Sequence, residues 1–175
     1  MEETIIKKFW FALYIRHRHE AKVKIMLDAI GVENYLPMIT RVKKWSDRKK
    51  RVTEPLLRGY IFIKATEKER IASLELNGVF RCVSERGEAA KIPEFQIDNM
   101  KQFVKQDIDY SVIEGIVPGN KVRIKAGPFE GVEGIIVDNG SNKELAVSID
   151  LLNRTVITKI EDSSMVEVLH EREKE

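Results

Sequence analysis

The 175-residue chain has room for one ordinary domain or two small ones, and its 43% apolar residues are enough to build buried cores. No apolar run approaches the ~20 residues that a membrane span needs, and residues 1–10 contain no cleavable apolar segment of the secretory type. The single cysteine, Cys82, excludes an intramolecular disulfide, so we expect a cytoplasmic protein.

The first part of the chain alternates between runs rich in aromatic and branched residues, which predict largely buried strands, and stretches whose apolar residues recur at helical spacing. Gly31 is a natural helix stop, and Thr66 with Glu69 three residues later is typical of a capping box. The predicted elements are a strand at 9–16, a helix at 19–31, extended segments at 34–45 and 51–57, a strand at 59–65, a helix at 66–76, a strand at 78–84 and a helix at 93–107.

From Val117 onward no stretch repeats at 3.6 residues. Five short strands are predicted there, at 121–126, 134–138, 144–150, 154–160 and 164–169. Five strands in about fifty residues without a helix indicate a small antiparallel barrel. The prediction is an α+β protein with a first domain at 1–108, a linker at 109–117, a β-barrel domain at 118–170 and a tail at 171–175.

The stretch "GPFEGVEG" (127–134) raises the question of a phosphate-binding loop. Such a loop requires a lysine followed by Ser or Thr after its last glycine, and a helix after that. Here Gly134 is followed by Ile135, Ile136 and a predicted strand. The glycines are therefore interpreted as turn and close-approach positions, with Phe129 exposed at the loop tip as a contact residue.

No catalytic or metal-binding constellation stands out in the sequence. His17 and His19 lack a third ligand at a recognisable spacing, and Cys82 lies in an apolar strand, as a small core residue does. We therefore predict a protein that is not an enzyme, with no metal and no cofactor.

Basic residues concentrate in the first fifty positions, although the net charge is only +2. Residues 41–51 contain seven basic side chains against Asp47, and residues 16–24 contain a second basic group. One interpretation is solvated surface; the other is nucleic-acid contact, with Trp45 and His19 available to stack on bases. The sheet aromatics Tyr14, Tyr60 and Phe62 likewise fit either a core or an exposed partner patch.

Several stretches resemble one family when they are taken in order. "FWFALYIRHRHEAKV", "YLPM", "GYIFIKA", "NGVFRCVS" and "IPEFQIDNM" are similar to the amino-terminal (NGN) domain of NusG proteins. "VPGNKVRIKAGPFEGVEGIIV" resembles the KOW motif that follows that domain, which has a five-stranded SH3-like barrel fold. Together they cover the chain from about residue 8 to residue 168.

The resemblance implies a monomeric transcription elongation or antitermination factor that binds the β′ clamp helices of RNA polymerase and spans toward the β subunit. It implies that the KOW domain recruits a small-subunit ribosomal protein or Rho, and that the non-template DNA strand is a further partner. By matched position, the polymerase patch consists of Tyr14, Leu57, Tyr60 and Phe62. The nucleic-acid-binding residues are Arg16, Arg18, His19, Lys22, Lys43, Lys44 and Arg48. The KOW partner-binding residues are Phe129 and Leu151.

Within the family, "EPLLRGYIFI" has Arg58 where a proline usually precedes the glycine, so the chain looks most similar to the specialised RfaH and UpxY antiterminators, the latter of capsular polysaccharide operons. A housekeeping NusG, or a ribosome- or RNA-binding KOW protein, are the alternatives. In RfaH the carboxy-terminal domain can fold as a helical hairpin. Gly131, Gly134 and Gly140, with the β-branched run at 154–158, disfavour a helix and favour strands here.

Overall fold

The computed structural model describes residues 7–104, 109–138, 143–160 and 166–169, and the chain divides into two compact units, Met1–Glu94 and Phe95–Glu175. The predicted tail at 171–175 lies outside the described residues. Both helices and strands are present, which confirms the α+β class. None of the helices in the described part of the chain has the length and apolarity to cross a membrane.

The first unit contains eight described strands and two helices. These elements are β1 (Phe9–Ile15), α1 (Glu20–Ala29), β2 (Glu33–Tyr35), β3 (Met38–Lys44), β4 (Lys49–Pro55), β5 (Tyr60–Ala65), α2 (Glu67–Leu74), β6 (Val79–Cys82), β7 (Ser84–Glu85) and β8 (Glu88–Ala89). Four of the strands form an antiparallel sheet with the strand order β2-β5-β1-β6. Strands β3 and β4 form a separate two-stranded hairpin, and β7 and β8 form a second, very short one.

One face of the sheet forms the core of this unit. Alternate residues of β1 and β5 pack there with the apolar side of α1, because successive side chains of a strand point to opposite faces of the sheet. The core includes Phe11, Leu13, Ile15, Val23, Leu27, Ile61, Ile63 and Cys82. Helix α2 begins at the predicted capping box: the Thr66 hydroxyl accepts from the Glu69 amide, and the Glu69 carboxylate accepts from the Thr66 amide.

The second unit is rich in sheet. Its elements are α3 (Glu94–Phe103, in this unit from Phe95 onward), β9 (Ser111–Glu114), β10 (Asn120–Ile124), β11 (Glu133–Asp138), β12 (Lys143–Ile149), a 3-10 turn (Asp150–Leu152), β13 (Arg154–Ile160) and β14 (Val166–Val168). The strands form one six-stranded sheet in the order β14-β10-β11-β12-β13-β9. The five predicted strands are all present, and over the described residues the sheet is not closed into a barrel.

The sixth strand, β9, lies in the segment that was predicted as a linker. It pairs antiparallel with β13, and the Thr155 hydroxyl donates to the Gly115 carbonyl at 2.7 Å just beyond the strand end. β9 has only four residues and is followed by Gly115, so its local sequence looks like a linker. Its pairing with β13 is what fixes it in the sheet.

The structure groups helix α3 differently from the predicted domain division, because amide side chains of α3 form hydrogen bonds with later residues of the second unit. The Asn99 amide donates to the Glu133 carbonyl at 3.0 Å and accepts from the Glu133 N–H at 3.1 Å. Gln96 donates to the Asp150 carboxylate at 2.8 Å. The first predicted domain runs to residue 108, whereas these contacts group α3 with the strands that follow it.

The glycine-rich loop at 127–134 is a tight connection between β10 and β11. The Glu130 N–H donates to the Gly127 carbonyl, and the Gly131 N–H donates to the Ile124 carbonyl. A Cβ at Gly134 would lie 2.5 Å from the Ala146 carbonyl oxygen, so only glycine fits there. The interpretation of these glycines as turn and close-approach positions is confirmed.

Candidate functional site

An exposed group of aromatic side chains lies at one end of the first sheet. Tyr14 and Tyr60 are directly opposite each other on β1 and β5, with ring centroids 5.5 Å apart. The Phe80 ring lies 5.7 Å from Tyr14 on the other side, and the Arg81 guanidinium lies 5.7 Å from the Tyr14 ring centroid. Phe80 is 64% exposed and Tyr14 is 37% exposed. These four residues are called the aromatic cluster below.

A β-bulge brings Phe80 into the aromatic cluster. Tyr14 is opposite Arg81 and Ile15 is opposite Val79, so Phe80 is an extra residue without a partner on β1. In a regular strand, Phe80 would share the face of Cys82, which belongs to the core. The bulge turns the Phe80 side chain toward solvent, which is why the strand pattern alone did not identify it.

A buried carboxylate fixes the backbone beneath the aromatic cluster. Glu20, the first residue of α1, is only 4% exposed, and its Oε1 accepts a hydrogen bond from the Gly59 N–H at 2.9 Å. The Gly59 carbonyl accepts from the Ile15 N–H at 2.8 Å. Gly59 has a φ of 80°, and a Cβ there would touch the Tyr14 ring at 3.5 Å. Glu20 therefore holds the turn that positions Tyr60 against Tyr14.

Two of the four residues of the predicted polymerase patch are buried in the structure. Leu57 and Phe62 are buried, and the Phe62 ring stacks on Tyr35 with a centroid distance of 6.2 Å. Phe62 lies opposite Ala12, whose small side chain leaves room for the ring within the sheet. Of the four predicted residues, only Tyr14 and Tyr60 contribute to the aromatic cluster, and the sequence analysis missed Phe80 and Arg81.

The first predicted nucleic-acid surface surrounds the turn that precedes α1. Arg16, Arg18 and Lys22 are exposed there, and His19 is half-buried. The His19 N–H donates to the Arg16 carbonyl at 3.0 Å, and the Arg16 N–H donates to Gly78 at 2.8 Å. Arg18 has a left-handed φ of 63°, which completes this tight turn. The structure therefore brings these four residues together, and their role stays a prediction.

The second predicted nucleic-acid surface is the β3–β4 hairpin. Lys43 is directly opposite Lys50, and Lys44 is directly opposite Lys49. The turn between the strands contains Arg48, whose carbonyl accepts from the Trp45 N–H at 2.8 Å. Trp45 is 56% exposed, and the Lys50 ammonium lies 5.7 Å from its ring centroid. The predicted Lys43, Lys44 and Arg48 are thus on one exposed hairpin.

Near the base of the hairpin, Glu54 is the acidic partner of two basic side chains. Lys43 donates to its carboxylate at 2.8 Å, and Arg58 donates to the same oxygen at 3.1 Å. The hydrogen bond from Lys43 is the main cause that lowers the pKa of Glu54 below its ordinary value. Lys43 is consequently engaged at the base, while Lys44 and Lys49 have no carboxylate partner within the described part of the chain.

Phe129 does not have the predicted exposure. It is only 7% exposed, and its ring lies 5.3 Å from that of Phe103 at the end of α3. Phe103 also meets Tyr110, whose hydroxyl donates to the Phe103 carbonyl. The expectation of an exposed loop tip is wrong, because the loop folds back so that the ring joins this apolar group. Leu151, the other predicted contact residue, is half-buried in the 3-10 turn.

The structure describes Cys82, His17 and His19, the residues considered in the sequence as a nucleophile or as metal ligands. Cys82 belongs to the core of the first unit, and burial raises the pKa of its thiol. His19 Nδ1 is 3.2 Å from the His17 carbonyl oxygen. Over the described ranges, no group of three His, Cys, Asp or Glu side chains is arranged to hold a metal ion.

Comparisons with known proteins point to one family. A family model described as "NusG: Transcription termination factor nusG" matches residues 8–101. A solved structure of domain interaction in Thermotoga maritima NusG is similar, with a TM-score of 0.52 and 21% sequence identity over 94% of this chain and 98% of that chain. Two conformations of the MjSpt4:Spt5 complex match at 15% identity with a TM-score of 0.30, over 93% and 94% of this chain and 99% of those chains.

Proposed function

Because the chain belongs to the NusG family of transcription factors, we propose that it is a non-enzymatic elongation or antitermination factor that binds RNA polymerase. The contact is made with the clamp helices of the β′ subunit, and the first unit spans toward the β subunit. A clamp held in this way disfavours pausing and termination. The protein acts as a cytoplasmic monomer and binds no cofactor.

The aromatic cluster is the single observation that carries this proposal. Phe80 and Tyr14 expose apolar rings side by side, and Arg81 lies against one of them. Exposed aromatic groups with a neighbouring arginine are typical of the few residues that dominate protein–protein affinity. Glu20 and Gly59 hold the backbone beneath, so little ordering is needed on binding.

The two basic surfaces support contact with nucleic acid in the transcribing complex. We propose that Arg16, Arg18, His19 and Lys22 meet the displaced non-template strand, with His19 available to stack on a base. Lys43, Lys44 and Arg48 neutralise phosphates from the hairpin. Both contacts are expected to weaken as salt concentration rises.

The second unit is proposed to be a KOW domain, formed by the strands β10–β14 of the six-stranded sheet. It recruits a second factor, either a small-subunit ribosomal protein or Rho. The motif at 120–136 supports this proposal, with its tight glycine loop and close approach at Gly134. Since Phe129 is buried against Phe103, a partner that contacts Phe129 must first uncover it. The departures at 54–63 support a specialised antiterminator of surface polysaccharide operons.

The test is polymerase binding by Phe80→Ala, with Phe95→Ala as the matched control. Both phenylalanines are exposed, but Phe95 lies outside the aromatic cluster. A hot-spot aromatic costs about 2 kcal/mol when truncated, so Phe80→Ala is expected to weaken binding roughly 30-fold. Equal affinity of both variants for purified core polymerase would remove the aromatic cluster as the binding site. Capture of ribosomal subunits in place of polymerase would favour the ribosome-binding alternative.

A further inference from the structure

The outer half of the β3–β4 hairpin (residues 42–51) is uncovered on both of its faces. The two strands pair with each other from Met38–Pro55 to Lys44–Lys49 and with no other strand of the described chain. Every residue from 42 to 51 is exposed. A seven-residue strand is roughly 23 Å long, so the hairpin is an arm whose outer half projects from the base held by Glu54.

The charges of this arm are divided between its two faces. Side chains alternate along a strand, and directly opposite residues share a face. Lys43 and Lys50 therefore lie on one face, and Lys44 and Lys49 lie on the other. The outer half contains six basic residues and one acid, Asp47, at the turn. Binding to a flat acidic surface would require basic residues on only one face of the hairpin, whereas this hairpin has lysines on both faces.

Opposed lysines repel each other in the free protein. Like charges directly opposite on neighbouring strands destabilise the pair, and this hairpin places two such pairs in succession. Glu54 offsets part of the charge of Lys43, whereas Lys44 and Lys49 have no carboxylate partner within the described part of the chain. A polyanion that brings phosphates to both faces would relieve the repulsion that remains. The arrangement therefore favours a partner that encloses the ribbon between two lines of negative charge.

The major groove of double-stranded DNA has this form. It is about 12 Å wide and is bordered by two phosphate backbones, whereas the minor groove is only about 6 Å wide. A single sheet layer with side chains on both faces is about 10 Å thick, which matches the wider groove alone. We propose that the outer half of the hairpin enters the major groove of duplex DNA tip-first, with each face toward one phosphate backbone.

This inference rests on the proposed function only in that a factor bound to transcribing polymerase lies close to duplex DNA. DNA binding by the hairpin and polymerase binding by the aromatic cluster are tested separately, because DNA binding is measured on the purified 175-residue protein without polymerase. The aromatic cluster and the hairpin are distinct groups of residues, so Phe80→Ala should leave DNA affinity unchanged. Loss of the hairpin lysines should leave polymerase affinity in the absence of DNA unchanged.

The experiment compares Lys49→Gln and Lys50→Gln, which are neighbours in sequence but lie on opposite faces. Lys68→Gln, an exposed change on α2, is the control. Fluorescence anisotropy with a labelled duplex, and with one strand of the same sequence, gives affinity against salt concentration. Each hairpin change is expected to reduce the slope of log K against log [salt] by about 0.9, and the double variant by about 1.8. Lys68→Gln should leave the slope unchanged.

The preference for duplex over single strand, the competition by groove-binding ligands and the fluorescence of Trp45 give three further tests of the proposal. Duplex DNA should bind more tightly than the single strand, and the major-groove ligand methyl green should compete while the minor-groove ligand netropsin should not. The exposed Trp45 should change its fluorescence on duplex binding. A slope change for only one of the two lysines would overturn insertion between two backbones. Tighter single-strand binding, or competition by netropsin alone, would overturn the major-groove assignment.

Discussion

Removal of the Glu20 carboxylate should destabilise the first unit and release the turn beneath the aromatic cluster. Glu20 is buried, and its Oε1 accepts from the Gly59 N–H at 2.9 Å. In Glu20→Ala that buried N–H would have no acceptor. The cost of such an unsatisfied donor, with loss of a charge-assisted bond, is about 2 kcal/mol.

This magnitude can be measured by urea unfolding. With an m-value of about 2 kcal/mol/M, the midpoint of Glu20→Ala should fall by about 1 M. Glu20→Gln retains a carbonyl acceptor and loses only the charge-assisted part of the bond, so a fall of about 0.5 M is expected. Tryptophan fluorescence is the appropriate probe, because Trp10 is buried in the first unit and Trp45 belongs to the same unit. The readout therefore follows that unit alone.

Glu85→Ala provides the control, since it removes an exposed glutamate of β7. Its midpoint should match that of the original protein within about 0.2 M, the range of ordinary surface changes. A midpoint for Glu20→Ala equal to that of Glu85→Ala would refute the role of the Glu20–Gly59 bond. Equal losses for the Ala and Gln variants would show that charge, and not the acceptor geometry, is what matters.

Three other predictions concern particular contacts. Gly134→Ala places a Cβ 2.5 Å from the Ala146 carbonyl oxygen, so thermal melts followed by circular dichroism should show part of the total strand signal lost several degrees earlier. Asn99→Ala removes both bonds to the Glu133 backbone, and the Glu133 amide should exchange with solvent about tenfold faster. Lys43→Ala should raise the pKa of Glu54 toward its ordinary value in an NMR titration. Because the pKa of Glu54 is lower in the folded protein than in the unfolded chain, this contact stabilises the folded state at pH values above the unfolded pKa. The stabilisation is lost as the pH falls through the folded pKa. An unchanged Glu54 titration in Lys43→Ala would contradict the Lys43 contact.

Local signals predicted the elements well because their causes are local. The Thr66–Glu69 capping box starts α2 where the sequence places it, and Gly31 follows α1 with a left-handed φ of 72°. The predicted strands at 9–16, 59–65 and 144–150 also lie close to where the sequence places them. Each of these features depends on residues within one turn of helix or a few positions of strand.

The features that the sequence did not predict depend on contacts between distant segments. Phe80 is exposed through a bulge that exists only in the pairing of β6 with β1. Phe129 is buried because Phe103, far away in sequence, packs on its ring. Phe62 is on the same strand as Tyr60, but it is buried and its ring stacks on Tyr35 of another strand. The local sequence pattern alone cannot distinguish these cases.

Binding of RNA polymerase by the aromatic cluster can be tested directly by site-specific photo-crosslinking. A photoreactive phenylalanine analogue is placed at Phe80, and in a separate variant at Phe95, before each protein is mixed with purified polymerase. We expect an abundant crosslink from position 80 to the clamp helices of the β′ subunit and little from position 95. No crosslink from position 80, or equal crosslinking from both positions, would contradict it.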